Sequence, residues 1–339
     1  MDKSEAWQML SGILQAAQMM PPVQRAAPGS LPLTVIGGFL GAGKTTLLNH
    51  LLGAPHGRRL AVLVNDFGRI NIDAALIRSR SEDTISLANG CACCSVAGDL
   101  TRTLIELAQR DEPPDAIVLE ASGLADPHGI AQVALANPAL RLDGVLTVVD
   151  AETLLEHAGD SPARATFLAQ LSAADVIVLN KLDLVPAETR VAARTWLQCE
   201  QPGRPIIEVV HGEVSVEVAL GIHSERELPH GRALDSGHDG AYQSYSVVGD
   251  AMLDSDRVRE MMDGLGEAIV RAKGILWVAS DPDQRTVYQR VGARASFSTA
   301  GHWDGESPRS SLVVIGLRSA FQQPELERRF DACRAGLSS

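Results

Sequence analysis

The sequence predicts an α/β fold, in which a mostly parallel sheet with helices on both faces is followed by a smaller α+β domain. The main observation is a series of short runs that are apolar along their whole length: LTVIGG, LAVLVND, TISLANG, DAIVLE, GVLTVVD, DVIVLNK and PIIEVV. Each run has the length of a strand, and stretches of helical length separate them. Strands that are apolar on both faces and alternate with helices are typical of a parallel sheet covered on two sides.

The length of the chain predicts two domains, since 339 residues exceed one usual domain and 45% of them are apolar. We expect the sheet domain over residues 31–215, a polar linker with several glycines over 216–240, and the second domain over 241–339. Residues 1–30 carry a weak helical stripe that ends in prolines. We interpret them as an arm and linker without chemistry.

The second domain is predicted to be α+β, because strand-like and helical stretches follow each other in an irregular order. The expected order is strand, helix, strand, one or two strands, strand and helix, over residues 242–248, 254–271, 275–279, 286–298, 312–317 and after 324.

Composition excludes two classes of partner. Thirty lysines and arginines stand against forty-two acidic residues, and the resulting charge of −12 has the wrong sign for neutralising nucleic-acid phosphates. No apolar run approaches the ~18 to 20 residues that cross a bilayer, and the first five residues lack the basic and apolar regions of a signal peptide. We therefore expect no nucleic-acid partner, no membrane association and a cytoplasmic location.

A phosphate-binding loop is predicted directly after the first strand. The run Gly38-Phe39-Leu40-Gly41-Ala42-Gly43-Lys44-Thr45 fits the pattern G-x-x-x-x-G-K-[ST] and precedes a predicted helix over residues 45–52. Glycines let backbone N–H groups surround a β-phosphate, Lys44 can bridge the β- and γ-oxygens, and the Thr45 hydroxyl can ligate magnesium. A plain glycine turn between strand and helix is the alternative.

A second motif predicts which base is bound. Asn180, Lys181 and Asp183 form the pattern N-K-x-D at the end of the strand DVIVLNK. The Asp183 carboxylate can accept from N1–H and the exocyclic amine of guanine, whereas adenine offers no matching pair of donors. The motif therefore favours a guanine nucleotide.

Two further strand ends carry acidic residues. Glu120 ends DAIVLE, where a carboxylate can hold magnesium through water, and the N–H of Gly123 can meet the γ-phosphate. Asp66 ends LAVLVND, the place of a switch segment that reads the γ-phosphate or positions water. Alternatively, Asp66 is a turn residue that caps its loop.

A cluster of three cysteines predicts a metal site. Cys91, Cys93 and Cys94 precede a predicted helix, whose N-terminal partial charge favours the thiolate form. Three thiolates at one point select zinc or copper(I) and leave a fourth position for another ligand. Buried small side chains or a redox pair are the alternatives, and Cys199 and Cys333 are expected to have no such role.

The motifs GFLGAGKTT, NDFG, GCACC, EASGLADP and NKLD, in this order, resemble the CobW-like family of P-loop GTPases, which are thought to deliver or insert metal ions. The resemblance covers residues 33–214 and continues into RAKGILW and LVVIG of the second domain. It implies a P-loop GTPase-type sheet. It also implies phosphate contacts from Gly41, Gly43, Lys44, Thr45 and Thr46, guanine contacts from Asn180, Lys181 and Asp183, and a divalent metal, most often zinc, on Cys91, Cys93 and Cys94.

Two positions depart from the family's switch pattern N-E-F-G-E. Asp66 replaces the first glutamate and Arg69 replaces the second, so any metal contact through that second carboxylate is absent here. Three histidines of the predicted linker, His223, His230 and His238, are interpreted as solvated rather than as ligands.

The predicted function is a slow GTPase that couples its nucleotide state to delivery of a divalent metal to a client protein. The cofactors are GTP or GDP, Mg²⁺ and Zn²⁺, with Co²⁺ or Fe²⁺ as other metals, and a homodimer is a further option. The catalytic residues are expected to be Lys44, Thr45, Asp66, Glu120 and Gly123. One alternative is cobalt or iron insertion in cobalamin synthesis or into a nitrile hydratase-type enzyme. Another is a GTP-dependent interaction switch with a structural metal.

Overall fold

The structure of the protein is a computed structural model, and it describes residues 30–54, 57–65, 84–87, 95–123, 127–159, 162–221 and 242–336. Several predictions fall on other parts of the chain. These parts are the arm up to residue 29, residues 222–240 of the predicted linker, the switch residues Asp66 and Arg69, and the cluster Cys91, Cys93 and Cys94.

The first domain contains a parallel sheet, as predicted. Its described strands are Leu31–Gly38 (β1), Leu60–Asn65 (β2), Thr84–Leu87 (β3), Ala116–Glu120 (β4), Leu140–Asp150 (β5), Val176–Asn180 (β6) and Ile206–Glu208 (β7). They pair in the order β3-β2-β4-β1-β5-β6-β7, and every pairing is parallel. The fold class predicted for this domain is therefore confirmed.

Helices cover both faces of this sheet. The described helices are Lys44–Gly53 (α1), Ser95–Ala108 (α2), Pro127–Ala136 (α3), Leu154–Ala158 (α4), Arg164–Ala173 (α5), Ala187–Glu200 (α6) and Val216–Leu220 (α7). Side chains of β2 alternate between two cores. Val62 and Val64 pack in the same core as α1 and α7, whereas Ala61 and Leu63 pack in the core that holds α2 and α3. A further core joins α4, α5 and α6 to β5 and β6.

The second domain contains an antiparallel sheet. Its strands are Tyr242–Gly249 (β8), Ile269–Leu276 (β9), Gln284–Val291 (β10), Arg294–His302 (β11) and Ser310–Leu317 (β12), and its helices are Ser255–Asp263 (α8) and Gln323–Asp331 (α9). The strands pair in the order β11-β10-β9-β12-β8. Both helices contribute to a core that lies on one face of this sheet, so the predicted α+β class is confirmed.

One element of the second domain was predicted wrongly. The expected helix over residues 254–271 ends at Asp263, and Ile269 begins a strand rather than continuing the helix. Gly264 follows the helix and Gly266 has a positive φ of 54°, which breaks the helical path. Ile269 and Val270 are then fully buried in strand β9.

The predicted linker begins with a helix. Helix α7 occupies residues 216–220, because Ser215 caps its first turn by accepting from the N–H of Val218 at 3.3 Å. Its apolar residues Val216, Val218 and Leu220 are buried, so this part of the chain belongs to the first core and is not a solvated linker.

The two sheets share one hydrophobic core. The cluster that contains α1 and α7 also contains four side chains of the second domain, namely Tyr242, Val270, Val291 and Ile315. The Tyr242 hydroxyl donates to the carbonyl of Ile206 at 2.8 Å, which ties β8 to the end of the parallel sheet. Within the described parts of the chain, no helix has both the length and the apolar character needed to cross a membrane.

Candidate nucleotide-binding site

The predicted phosphate loop lies between the carboxyl end of β1 and helix α1. Three of its glycines, Gly38, Gly41 and Gly43, have positive φ angles of 134°, 75° and 103°. A Cβ at Gly38 would lie 2.2 Å from the carbonyl oxygen of Val148, and one at Gly43 would lie 2.3 Å from Asn180 Nδ2. The backbone conformation therefore favours glycine at all three positions, and close approach of neighbouring atoms adds to this at Gly38 and Gly43.

The remaining loop residues surround the start of α1. Lys44 is 7% exposed, and its ammonium donates to the carbonyl of Phe39 at 3.1 Å, so the side chain folds back over the loop. Ala42 is buried, whereas Thr46 is exposed on the first turn of the helix. Backbone N–H groups at a helix N-terminus behind a glycine loop form an anion-binding concavity.

Thr45 of α1 forms a hydrogen bond with Glu120 at the end of β4, although 75 positions separate them in the sequence. The Thr45 hydroxyl donates to Glu120 Oε1 at 3.0 Å, and Glu120 is 2% exposed at the end of β4. Hydroxyl and carboxylate oxygens are ligands that Mg²⁺ prefers. This pair of oxygens beside the phosphate loop could hold a magnesium ion, which would neutralise charge on bound phosphates.

Gly123 lies against the phosphate loop. A Cβ at this position would lie 2.9 Å from the backbone nitrogen of Leu40 and closer still to the Leu40 side chain. The carbonyl of Gly123 accepts from Gln170 Nε2 at 2.9 Å, and Gln170 is buried on α5. Gly123 is therefore held in place close to where the loop would hold phosphates.

Asn180 connects the phosphate loop to the chain after β7. Its Nδ2 donates to the carbonyl of Ala42 at 3.0 Å, and its Oδ1 accepts from the backbone N–H of Gly212 at 2.9 Å. Both polar ends of the buried amide are thus satisfied by backbone groups. Asn180 therefore holds the phosphate loop and the loop after β7 in place.

Lys181 and Asp183, the other two residues of the N-K-x-D motif, directly follow the carboxyl end of β6. Lys181 has a positive φ of 63°, and its ammonium lies 2.7 Å from Asp150 Oδ2. The other Asp150 oxygen accepts from the N–H of Glu152 at 2.9 Å. Asp183 is exposed in a single-turn 3-10 helix over residues 182–184, so its carboxylate is accessible to a ligand.

The sequence interpretation missed three residues around this candidate site, namely Asp150, Gly212 and His157. Asp150 ends a strand of the parallel sheet, just as Asn180 does, and this position was the signal that could have found it. Gly212 follows the last strand, but nothing in its sequence surroundings reveals its bond to Asn180. The ring of Phe39 in the phosphate loop lies 4.5 Å from the ring of His157 on α4, a contact that only the folded chain brings about.

The cysteine cluster falls in the gap between β3, which ends at Leu87, and α2, which begins at Ser95. The parts of the chain that the structure describes contain no group of three or more side chains able to hold a metal ion. Of the other cysteines, Cys199 is exposed and Cys333 is buried.

Family models match both halves of the chain. The model described as the CobW/HypB/UreG nucleotide-binding domain matches residues 32–208. The chain belongs to this family. A second model, the C-terminal domain of the cobalamin synthesis protein cobW, matches residues 242–334. The predicted family and the P-loop GTPase class are thus confirmed.

Curated relatives of this CobW-family chain span both domains. The chain is 34% identical to a zinc chaperone CobW of Sinorhizobium sp, over 86% of its length and 94% of the relative's. It is 32% identical to the zinc chaperone YjiA of Escherichia coli, over 91% and 98%. A zinc-regulated GTPase metalloprotein activator 1 of Dictyostelium discoideum is 26% identical, over 80% and 68%.

Among solved structures, the Zn(II)-bound YjiA GTPase from E. coli is 25% identical to the chain. The match covers 90% of this chain and 99% of the other, with a TM-score of 0.41.

Proposed function

We propose that this CobW-family protein binds GTP, hydrolyses it slowly and couples its nucleotide state to delivery of zinc to a client protein. Nucleotide binding is supported by one observation: the phosphate loop, Glu120 and the N-K-x-D motif lie together at one edge of the sheet. Hydrogen bonds of Asn180 connect the motif to the loop and to Gly212. The metal part rests on the cysteine sequence and on the zinc chaperones among the relatives.

Guanine recognition is assigned to Lys181 and Asp183, which follow the carboxyl end of β6. The exposed Asp183 carboxylate would accept from the two donors on the guanine edge, and the stem of Lys181, held by Asp150, would lie along a face of the base. An adenine would leave the carboxylate without a donor pair, and discrimination of this kind reaches about 10⁴-fold or more.

Phosphate chemistry is assigned to the loop and to two strand ends. Lys44 would balance charge on the β- and γ-phosphates, the Gly123 N–H would meet the γ-phosphate, and Asp66 would orient the attacking water. Thr45 and Glu120 would hold a magnesium ion, which when bound supplies charge neutralisation at the phosphates. Water forms a bond to the γ-phosphorus while the bond to the GDP oxygen breaks. Without an arginine placed by motif, turnover should be slow.

Metal binding is assigned to Cys91, Cys93 and Cys94. They immediately precede α2, whose first residue is Ser95, and the partial positive charge of a helix N-terminus stabilises thiolates. Three thiolates with a fourth position for an exchangeable ligand suit zinc that is passed on rather than held permanently.

Coupling between the two sites follows from chain connectivity. Strands β2 and β3 are neighbours in the sheet, with Asn65 opposite Leu87. The predicted switch residue Asp66 follows β2 directly, and Cys91 follows the end of β3 by four positions. A change at the γ-phosphate would therefore alter the metal site through a short path. If the change altered the alignment of one thiolate, it would redirect a fraction of the ~10 to 16 kcal/mol that is typical of structural zinc binding.

Zinc affinity in each nucleotide state tests the proposal. Chelator competition would be run with a non-hydrolysable GTP analogue, with GDP and without nucleotide, on the wild type, on Cys93→Ser and on the control Cys199→Ser. We expect nucleotide-dependent affinity that collapses in Cys93→Ser and is unchanged in Cys199→Ser, since Cys199 is an exposed cysteine outside the C-x-C-C motif. Equal affinity in all three states would instead indicate a GTPase with a structural metal.

The same titration with Co²⁺ and Fe²⁺ addresses the insertion of another metal, an alternative in line with the cobalamin-related name of the second matching model. Thiolate sites follow the Irving–Williams order in vitro. Nucleotide dependence for cobalt or iron together with its absence for zinc would therefore favour that alternative.

A further inference from the structure

Arg271 of β9 is a buried cation at the boundary between the two domains. Its side chain is 3% exposed, and its guanidinium lies 2.6 Å from Asp143 Oδ2 on β5. It also donates hydrogen bonds to the backbone carbonyls of Val218 and Ala219. Because these carbonyls belong to α7, one side chain of the second domain holds both a strand and a helix of the first.

Helix α7 and the helix of the phosphate loop contribute to the same buried core. Val216 and Val218 of α7 belong to the same buried core as Leu47 and Leu48 of α1. A helix of five residues has little stability of its own, so its position depends on this packing and on the bonds from Arg271. Gly221 ends the helix with a φ of 59°, and a Cβ there would lie 3.1 Å from Arg271 Nη1.

The chain before α7 reaches the base-binding residues. Gly212 donates its N–H to Asn180 Oδ1, and a Cβ at Gly212 would lie 2.8 Å from the backbone nitrogen of Leu47. Asn180 in turn donates to the carbonyl of Ala42 in the phosphate loop. A continuous series of contacts therefore runs from Arg271 through α7 and Gly212 to Asn180.

We propose that Arg271 is a positioning residue for guanine nucleotide binding, which acts by holding α7 and thereby the Gly212 backbone that orients Asn180. This inference rests on the proposed GTP binding. It assigns to the second domain a direct part in nucleotide retention, besides any contact with a client protein. Because coupling between two sites is reciprocal, a client that loosens the bonds of Arg271 would release nucleotide, and bound nucleotide would strengthen them.

The test is the rate at which the full-length protein releases fluorescently labelled GDP into excess unlabelled GDP. Arg271→Lys keeps a cation beside Asp143 but cannot make the same set of bonds to two carbonyls, because lysine lacks the planar fork of arginine. We expect release about tenfold faster than in the wild type, the effect of losing one hydrogen bond to a charged donor.

Arg290→Lys is the matched control. Arg290 of β10 is also buried, at 4% exposure, and also donates to backbone carbonyls. Its partners Met262, Gly266 and Gly292 all belong to the second domain. The variant should lose stability comparably but release GDP at the wild-type rate. Equal acceleration in both variants, or none in Arg271→Lys, would overturn the inference.

A second pair of variants decides the question if Arg271→Lys does not fold. Gly221→Ala places a methyl group against the Arg271 guanidinium, whereas Gly203→Ala introduces the same kind of strain at a φ of 77° with nothing within 4 Å. Faster GDP release is expected in Gly221→Ala alone, and equal rates in both would refute the inference. A wild type that does not bind GDP would refute the proposed function itself, whereas normal binding with unchanged release in the variants would refute only the role of Arg271.

Discussion

The ammonium of Lys181 lies 2.7 Å from the carboxylate of Asp150, where Asp150 is the last residue of β5 and Lys181 directly follows the adjacent strand β6. Asp150 is 8% exposed, so the pair is shielded from water on its acidic side. The backbone of Lys181 is in the left-handed region that a residue with a side chain seldom adopts. The ion pair therefore fixes the direction of the lysine stem at the base site.

Asp150→Asn should weaken GDP binding about tenfold, which corresponds to ~1.4 kcal/mol. The amide keeps the size of the side chain and removes the charge that orients Lys181. Isothermal titration calorimetry measures the effect, with Glu152→Gln as control, since that exposed neighbour contributes only its backbone N–H to Asp150. Unchanged affinity in Asp150→Asn would mean that the ion pair has no part in binding the base.

Gly43→Ala should weaken GTP binding by about a hundredfold or more, because overpacking of a tight contact costs ~1–3 kcal/mol and the φ of 103° adds strain. The new methyl group would press on Asn180 Nδ2. Gly53→Ala at the other end of α1 meets nothing within 4 Å. We expect this control to bind GTP normally and to be more stable by ~0.5–1 kcal/mol, since alanine favours a helix over glycine.

Thr45→Ala and Glu120→Gln should each reduce the gain in GTP affinity that magnesium provides. Thr45→Ala removes one candidate ligand oxygen, and Glu120→Gln removes the negative charge while retaining an acceptor for the Thr45 hydroxyl. GTP affinity would be measured with Mg²⁺ and with EDTA. Both variants are expected to match the wild type in EDTA and to fall below it in Mg²⁺, and a full magnesium effect in either would exclude that residue as a ligand.

Zinc should protect three of the five cysteines from alkylation. In the native zinc-loaded protein we expect iodoacetamide to label Cys199 alone, because Cys333 is 2% exposed and burial raises the pKa of its thiol to about 11. After removal of zinc, Cys91, Cys93 and Cys94 should react as well. Mass spectrometry of the labelled peptides counts the sites, and the variant Cys199→Ser should take up no label in the zinc-loaded state.

Stability should fall in alkaline solution. Burial raises the pKa of Tyr288 from 10.0 to about 12 and that of Cys333 from 9.0 to about 11. Between the unfolded and the folded pKa of each group, the unfolded chain loses a proton that the folded chain retains. The stability that each group contributes is therefore complete below its unfolded pKa and is lost as the pH rises through its folded pKa. The melting temperature should therefore decrease as the pH rises above about 9.

Two substitutions test the origin of this alkaline effect. Tyr288→Phe keeps the ring, which packs 4.9 Å from that of Phe297, and should flatten the fall above pH 10. Cys199→Ala, at an exposed thiol, should leave the profile unchanged. A profile in Tyr288→Phe identical to that of the wild type would assign the alkaline loss to other groups.

The sequence predicted the parallel sheet and the motif residues, because each depends on local requirements. Gly43 must tolerate a positive φ, and Asn180 must follow a strand that is apolar on both faces. The strand-end position of Asp150 was visible in the sequence, but its ion pair with Lys181 and the bond of Gly212 to Asn180 were not predictable, because each joins residues more than thirty positions apart. The helix predicted after Asp254 was too long for a similar reason. Ile269 and Val270 are strand residues because they pack in a sheet, and the sequence nearby does not reveal this packing.

The common core of the two sheets should make the two domains unfold together. Tyr242, Val270, Val291 and Ile315 fill the same apolar cluster as α1 and α7, so neither half can lose its structure without exposing apolar surface of the other. Heating should therefore produce one transition rather than two. A fragment that stops at residue 221 would present this apolar face to water, and we therefore expect it to aggregate.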